Sequence, residues 1–280
     1  MKIYDCFTFY NEFDLLRLRL MELWEHVDHF VIAEGDRTFT NQEKPYNFEK
    51  TKHQFSEFLS KIIYIKVNDY PAYTGDPWLY EYHQRNALSR GLKQCHDDDL
   101  IMISDVDEIP NHEAITEFND PISIFGMRVF YYKLNIECAP DESETKKIVK
   151  RSGVSSPWFG TRAVRYNDLK TPQNVRNVKA KIYPWWRITK GKNPHIIENG
   201  GWHFSFLMTE EEIEEKLGAF SHQEYNTREY NNPAYIGGCI KAMKAFDPGR
   251  ESWKCRTISL EEGMPDTLVN NVELFRKWLK

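Results

Sequence analysis

Short apolar strands alternate with amphipathic helices along the first 105 residues, and this alternation limits the possible folds more than any other feature. The spacing of apolar residues predicts strands over 2–9, 29–34, 62–67 and 100–104. Helices are predicted after Asn11 and after Asp76-Pro77, where a capping side chain or a proline precedes a helical pattern. The run at 100–104, Leu-Ile-Met-Ile-Ser, is apolar throughout, which is typical of a strand buried on both faces. Together these signals predict an α/β fold with a mostly parallel central sheet flanked by helices.

The second half of the chain shows a different pattern. Residues 125–136 and 158–166 are predicted as strands with little helix between them, so we expect a smaller antiparallel portion there. Thr209 to Glu212 form a capping box that predicts a helix start. Residues 141–156 are polar and lack periodicity, and we predict a mobile loop over them. No linker is visible, and a length of 280 residues suits one large domain.

Charge is divided along the chain. The formal net charge is −5, but residues 1–150 carry −10 and residues 151–280 carry +5. Between Lys146 and Lys192, thirteen basic residues face a single acidic one, Asp168, and several tryptophans lie among them. Such a stretch suits a phosphate-bearing substrate, a nucleic acid or a solvated surface. Aromatic residues make up 14% of the chain, which fits either an aromatic core or a site where rings stack on sugars.

The cysteines and the N-terminus bear on the compartment. Five cysteines, widely spaced and without a C-x-x-C pair, argue against a disulfide framework or a structural zinc site. They are interpreted as buried thiols of a reducing compartment, although one disulfide stays open. We see no signal peptide and no transmembrane segment, and therefore expect a soluble, cytoplasmic protein.

Two carboxylates follow the buried strand directly. Asp105 and Asp107 stand two residues apart where the strand ends, and ligands of open α/β sheets bind at that edge. Carboxylate oxygens are the ligands that hard divalent cations prefer, with substrate phosphate completing the shell. The pair therefore predicts a site for a metal–diphosphate complex, although an Asp-x-Asp alone is a weak motif.

Five segments, in this order, resemble glycosyltransferase family 17, the family of β-1,4-mannosyl-glycoprotein 4-β-N-acetylglucosaminyltransferase. They are Asp5-Cys-Phe-Thr-Phe-Tyr-Asn-Glu12, Phe30-Val-Ile-Ala-Glu-Gly-Asp-Arg-Thr-Phe-Thr40, Tyr82-His-Gln-Arg-Asn86, Ile103-Ser-Asp-Val-Asp-Glu-Ile-Pro110 and Gly201-Trp-His-Phe-Ser205. The resemblance implies a GT-A nucleotide-sugar fold, a UDP-sugar donor, Mn²⁺ or Mg²⁺, and inversion at the anomeric carbon. It leaves the acceptor open, whether a glycan or another glycoconjugate. Eukaryotic members of the family begin with a membrane anchor and stem, whereas the first predicted strand here begins at residue 2.

The resemblance also assigns roles to individual residues. It divides the domain into a half that binds nucleotide-sugar and metal, residues 1–120, and an acceptor-binding half, residues 121–280. By analogy with GT-A enzymes, the donor would be bordered by Thr8, Phe9, Asn11, Glu12, Glu34, Asp36, Arg85 and Asp105. The metal ligands would be Asp105, Asp107 and His203, although His203 also suits a core histidine and His222 is a poorer alternative.

Inversion requires a carboxylate that deprotonates the acceptor hydroxyl. Glu198 is the first candidate for this base and Glu108 the second, because Glu108 stands close enough to the metal pair to orient its ligands instead. Trp158, Trp185 and Trp186 are predicted to stack on the acceptor, which we expect to be a glycan rather than a nucleic acid.

Two other functions stay open at this point. A sugar nucleotidyltransferase would also use paired carboxylates, but it predicts a phosphate loop with glycine and lysine after the first strand, and residues 7–12 contain neither. A non-catalytic glycan- or nucleic-acid-binding module would use the basic, aromatic stretch over 146–192.

Overall fold

The computed structural model describes residues 1–184, 186, 192–247, 249–250 and 252–280. Within them the strands are β1 Ile3–Thr8, β2 His29–Gly35, β3 Ile62–Val67, β4 Leu100–Asp105, β5 Glu108–Pro110, β6 Ile122–Tyr131, β7 Ile136–Ala139, β8 Trp158–Arg165, β9 His195–Ser205 and β10 Lys254–Thr257. The α-helices are α1 Phe13–Leu23, α2 Asn47–Thr51, α3 Pro77–Ala87, α4 His112–Ile115, α5 Glu142–Ser152, α6 Pro172–Arg176, α7 Glu210–Ala219, α8 Pro233–Ala242, α9 Asp266–Asn270 and α10 Val272–Phe275.

The central sheet has a parallel half and an antiparallel half. Along it the strand order is β10-β7-β6-β8-β4-β1-β2-β3, and β5 and β9 extend it beside β6. The strands β3, β2, β1 and β4 run parallel, as the alternation of strands and helices predicts. From β8 onwards the pairings are antiparallel except that between β6 and β9. The expected α/β class and the antiparallel second half are confirmed.

Apolar residues cover both faces of the parallel half. On one face the side chains of α1, including Leu16 and Leu20, pack against Phe7 of β1 and Met102 of β4. On the other face Cys6 and Ile103 lie in a second cluster with Leu88, which follows α3. Both faces of β4 are therefore buried, which explains its continuous apolar run.

Residues 141–156 contain a helix, and the prediction of a mobile loop there is wrong. The Asp141 side chain caps α5 by accepting a hydrogen bond from the Glu144 amide, and Gly153 ends the helix in the left-handed conformation. Glutamates in the first turn and Lys150 and Arg151 in the last turn suit the helix dipole. The apolar pattern is absent because α5 buries little besides Ile148.

One pair of cysteines departs from the prediction. A disulfide joins Cys138 of β7 to Cys255 of β10, which are paired in register at this side of the sheet. Cys6, Cys95 and Cys239 are free thiols. The interpretation of the cysteines as reduced is therefore corrected for Cys138 and Cys255 alone. Within the described ranges, no helix combines the length and the apolar character that a membrane span requires.

Candidate active site

The carboxyl ends of the parallel strands form one edge of the sheet. Thr8, the last residue of β1, pairs in register with Asp105, the last residue of β4, and with Ala33 of β2. A cleft of about 330 Å³ opens at this edge, as the rule for open α/β sheets predicts. Its ionisable lining residues are Tyr10, Glu12, Arg37, Lys44, Glu81, Arg85, Asp105, Asp107, Glu108, His203, Lys216, His222, Tyr225, Asp247 and Arg250.

A buried arginine fixes the turn that carries the two aspartates. Arg19 of α1 is fully buried and forms an ion pair with Asp5 of β1, with a shortest contact of 2.6 Å. The Nη1 group of Arg19 also donates to the carbonyl oxygens of Asp105 and Glu108, at 2.9 and 3.0 Å. Arg19 thus donates to backbone acceptors of this buried turn, and the Glu108 carbonyl also accepts from the Thr161 hydroxyl at 3.2 Å. No local sequence signal marks this role of Arg19, because its partners lie on β1 and on the turn after β4.

Asp105 faces the cleft but is engaged by two arginines. Its Oδ1 accepts from Arg85 at 2.9 Å and its Oδ2 accepts from Arg176 at 2.8 Å. Burial raises the pKa of Asp105, but Arg176 and Arg85 outweigh burial and hold it below its ordinary value. Asp105 is therefore an ionised partner of two guanidinium groups, whereas the sequence predicts it as a metal ligand with free oxygens.

Asp107 has much weaker partners. Its Oδ2 lies 3.8 Å from His203 Nε2 and 3.8 Å from Lys216 Nζ, beyond hydrogen-bond distance. Burial raises the pKa of Asp107 to about 7, and the neighbouring Asp105 and Glu108 add to this although Lys216 opposes it. Three nearby carboxylates, those of Asp105, Glu108 and Glu12, and one nearby cation, Lys216, thus act on the Asp107 carboxylate.

Strand pairing brings His203 to this point. The register of β5 and β9 sets Glu108 opposite His203, and the Phe204 amide donates to the Asp107 carbonyl at 2.9 Å. The imidazole stacks on Trp158, with ring centroids 4.4 Å apart, and burial lowers the pKa of His203 to about 4. At neutral pH His203 is therefore uncharged, which is the form that binds metal ions. Its Nδ1 is buried and finds no hydrogen-bond partner among the residues that the structure describes.

The two candidates for the catalytic base have other partners. Glu108 is 1% exposed, and its carboxylate accepts from Arg176, Trp158 and the Asp105 amide. Glu198 is exposed, accepts from the amide and hydroxyl of Ser155, and does not line the cleft. The structure therefore brings Glu108 to the site as a positioning residue and places Glu198 outside it.

The predicted donor residues divide into two groups. Thr8, Phe9, Glu12 and Arg85 line the cleft with Asp105. By contrast, Asn11, Glu34 and Asp36 are not among its lining residues. Glu34 is fully buried, and it holds the chain at α2 by accepting from the Asn47 and Phe48 amides. The sequence signal, a carboxylate at a strand end, does not distinguish such a structural role from a binding role.

The three predicted acceptor tryptophans are also separated. Trp158 lies at the cleft, but His203 covers one of its faces and its indole Nε1 donates to Glu108 at 2.8 Å. Trp186 is 64% exposed and does not line the cleft, and Trp185 lies outside the described residues. His222 lines the cleft near its mouth, against Trp78 and Tyr225.

Several cleft residues, and Arg176 beside the cleft, were not predicted for the site. Lys216 of α7 contacts both Glu12 and Asp107 through Nζ, at 3.2 and 3.8 Å. Asp247 pairs with Arg250 at 2.9 Å, and Arg250 lies 5.2 Å from the Trp158 ring. Arg176, from α6, was noted as part of a basic stretch and not as a partner of Asp105. No local pattern marks these positions, because distant segments of the chain bring them to the cleft.

Within the described part of the chain, no group of three or more His, Cys, Asp or Glu side chains is arranged to hold a metal ion. Asp107 and His203 are a pair, and Asp105 is held by arginine. Protein side chains alone therefore do not complete a metal shell at this site.

Residues 1–130 match the family model described as Glycosyltransferase family 17. The human β-1,4-mannosyl-glycoprotein 4-β-N-acetylglucosaminyltransferase is 25% identical over 95% of this chain and 52% of its own length. The enzyme of the same name from Rattus norvegicus is 24% identical over 100% of this chain and 54% of its own length. The chain thus spans about half the length of the curated relatives it matches.

Solved structures show only distant likeness. Glucosyl-3-phosphoglycerate synthase from Mycobacterium tuberculosis, solved with Mn²⁺, uridine diphosphate and phosphoglyceric acid, covers 92% of this chain and 86% of its own, with 12% identity and a TM-score of 0.36. A TM-score of this size supports no argument about fold or chemistry. The resemblance to glycosyltransferase family 17 that the sequence motifs indicate is confirmed by the family model over residues 1–130 and by curated relatives that align with nearly the whole chain.

Proposed function

We propose that this protein is a metal-dependent, inverting glycosyltransferase that moves a sugar, GlcNAc by preference, from a UDP-sugar to a glycan or glycoconjugate acceptor. The observation that carries the proposal is the cleft at the carboxyl edge of the parallel strands, where Asp107 and His203 face each other at 3.8 Å. The match to the transferase family over residues 1–130 covers the strands that build this edge.

The residues present fit a divalent cation as a shared site of protein and substrate. Asp107 offers a carboxylate with no closer cation than Lys216 at 3.8 Å, and the neutral His203 offers Nε2. These two residues would hold Mn²⁺ or Mg²⁺, and the donor diphosphate and water would supply the other ligands. When bound, the cation would supply Lewis acidity that neutralises the charge of the leaving diphosphate.

The residues of the chain itself position the donor. Lys216, held between Glu12 and Asp107, places a positive charge beside the proposed metal ligand, where a diphosphate oxygen would approach. Arg85 and Arg176 keep Asp105 ionised and fixed, and Arg19 fixes the turn from below. Hydrogen bonds from Arg19, Arg85 and Arg176 thus hold the Asp105–Glu108 turn in place beside the cleft.

A calorimetric titration tests the proposal directly. We expect UDP-GlcNAc or a related UDP-sugar to bind in the presence of Mn²⁺ and to bind at least about 10-fold more weakly after chelation with EDTA, because Asp107 and the diphosphate would then repel each other. CDP-sugars and GDP-sugars, titrated in the same way, are the matched ligands with which the UDP-sugars are compared. If no nucleotide-sugar binds with or without Mn²⁺, the proposed function is wrong.

We place the catalytic base on Asp247. This residue lines the cleft, and its Oδ2 accepts from the Tyr131 hydroxyl and from Arg250 Nη1. The other lining carboxylates pair with arginine, lysine or backbone amides inside the cleft or are proposed for the metal, whereas Asp247 pairs with Arg250, which also lines the neighbouring pocket. Arg250 and Trp158 also line a neighbouring pocket, so Asp247 lies on the side from which an acceptor would enter.

Replacing Asp247 with asparagine should lower the rate of UDP-sugar hydrolysis, with water as the acceptor, by about 100-fold or more. The affinity for UDP should stay the same, because Asp247 is not proposed to contact the donor. The rival variant Glu198→Gln should keep its hydrolysis rate, since Glu198 is exposed and lies outside the cleft. A larger loss in Glu198→Gln than in Asp247→Asn would exclude Asp247 as the base.

A further inference from the structure

A second pocket of about 620 Å³ adjoins the cleft, between α5 and β8. It shares Trp158 and Arg250 with the cleft, so a ligand in this pocket can extend toward the proposed metal site. Among the described residues, its charged lining consists of Lys147, Arg151, Arg162, Arg176, Arg250 and a single carboxylate, Glu144. We call this space the basic pocket.

Arg162 of β8 is a buried cation without a carboxylate partner. The residue is 9% exposed, and its guanidinium donates to the carbonyl oxygens of Phe159, Gly160 and Val178. Among the described residues no carboxylate forms an ion pair with it. Burial lowers the pKa of Arg162 to about 9 and the nearby Arg176 adds to this, although Glu108 and Asp105 oppose the shift, and the group stays protonated at neutral pH. A buried cation is costly unless an opposite charge is close.

Two other cations of the pocket have their charges balanced. Arg176 forms ion pairs with Asp105 at 2.8 Å and Glu108 at 2.6 Å, and Arg250 forms one with Asp247 at 2.9 Å. These pairs point into the cleft. Their charges therefore do not account for the positive character of the basic pocket.

Helix α5 adds two cations for which the described part of the chain supplies no ion pair. Lys147 and Arg151 stand four residues apart, on one face of the helix, and both line the pocket. The guanidinium of Arg151 lies 5.7 Å from the centre of the Phe159 ring. Glu144, the one lining carboxylate, is hydrogen-bonded to the indole of Trp253 at 3.1 Å. Lys147, Arg151 and Arg162 thus outnumber the acidic groups of the pocket.

Rings complete the lining. Trp158, Phe159 and Trp253 present apolar surface beside these cations. Arg250 lies over the Trp158 and Trp253 rings, at 5.2 and 4.7 Å from their centres, so rings and cations of the pocket are in direct contact. Apolar ring surface next to cations is suited to a sugar that carries an oxyanion, because the sugar can pack on the aromatic groups while its charge meets the guanidinium groups. A pocket of about 620 Å³ is larger than a small ion needs and has room for a whole sugar.

We propose that the basic pocket binds an anionic sugar of the acceptor, with Arg162, Arg151 and Lys147 as the groups that recognise its phosphate or carboxylate. Only the identification of this sugar as part of the acceptor rests on the proposed function. The binding of an anionic sugar to the pocket can be measured independently. The proposal gives a role in ligand binding to helix α5, over which the sequence predicts a mobile loop.

The test uses three sugars that share one ring: glucose 6-phosphate, glucuronic acid and neutral glucose. Titrated into the whole protein at 0.15 M salt, at least one of the charged sugars should bind, and glucose should bind at least 10-fold more weakly. The phosphate and carboxylate arms show which oxyanion the pocket prefers. The double variant Lys147→Gln/Arg151→Gln should weaken binding of the charged sugar about 10-fold or more, and Arg162→Gln should do the same.

Lys146→Gln is the matched control, because Lys146 lies on the same helix but does not line the pocket and pairs with Glu142 at 2.6 Å. It should leave sugar binding unchanged. The proposal is overturned if no charged sugar binds, if glucose binds equally well, or if Lys146→Gln weakens binding as much as the double variant does. UDP affinity, measured in every variant, reports on the cleft. If UDP does not bind to the unaltered protein, the proposed function is contradicted, while the result for the basic pocket still stands.

Discussion

Asp107→Asn should abolish the effect of Mn²⁺ on UDP binding and lower UDP-sugar hydrolysis by about 100-fold or more. The substitution removes the carboxylate that has no strong protein partner and that we propose to bind the cation. Losing one charged ligand of a two-ligand protein site costs more than the 10- to 100-fold that loss of an outer-shell group usually costs. Calorimetry with UDP, in Mn²⁺ and in EDTA, measures the effect directly.

The fold should survive this substitution. Burial raises the pKa of Asp107 to about 7, above the 3.8 of an unperturbed aspartate, so the folded state binds a proton more tightly than the unfolded state does. The charged form is therefore a cost to the folded protein that appears as pH rises from about 4 to 7. Without metal at pH 8, the thermal midpoint of Asp107→Asn should be no lower than that of the unaltered protein.

Asp98→Asn is the matched control for Asp107. Asp98 is exposed and precedes β4, at the opposite end of the strand from Asp105. It should keep both the Mn²⁺ dependence and the hydrolysis rate. An Asp107→Asn variant that still binds UDP in a Mn²⁺-dependent way would exclude Asp107 as the ligand.

Arg19→Met should lower the free energy of unfolding by about 3–5 kcal/mol, the usual cost of removing one partner of a buried ion pair. The variant leaves Asp5 buried without its cation and deprives the Asp105 and Glu108 carbonyls of their donor. Urea unfolding measures the loss. Because the Asp105–Glu108 turn also loses its support, Mn²⁺-dependent UDP binding should weaken in the fraction that stays folded.

Two variants check the cause. Arg17→Met lies on the same helix, but Arg17 is 23% exposed and its partner Glu57 is 52% exposed, so its cost should stay below about 1 kcal/mol. Asp5→Leu/Arg19→Met removes both charges and should recover part of the stability without restoring UDP binding, since the turn still lacks the Arg19 donor. Equal costs for Arg17→Met and Arg19→Met would show that the buried pair does not stabilise the fold.

The parallel half of the fold was predictable because its signals are local. The apolar run of β4 reports burial on both faces, and Asp76 with Pro77 marks the start of α3, whose first turn the Asp76 side chain caps. Helix α5 was missed for a related reason: its capping residues Asp141 and Gly153 are local signals, but its surface position removes the apolar period on which helix prediction depends.

The candidate site was predictable only at its strand ends. Asp107 at the end of β4 and the family motifs direct attention to the correct edge of the sheet. The same reasoning could not tell that arginines engage Asp105, or that Glu34 serves the fold, because their partners Arg176, Lys44 and Asn47 come from other elements. A carboxylate looks alike in sequence whether it binds a ligand or a backbone amide.

By itself, the sequence determined the alternation of strands and helices, the sheet edge where the site lies, and the resemblance to glycosyltransferase family 17. The tertiary structure decided which charges meet. The pairing of β5 with β9 joins residues about 95 positions apart and brings His203 to Asp107, and α5 and β8 together enclose the basic pocket. The physical reason is that hydrophobic periodicity and capping act over a few residues, whereas ion pairs and strand register depend on segments that only folding brings into contact.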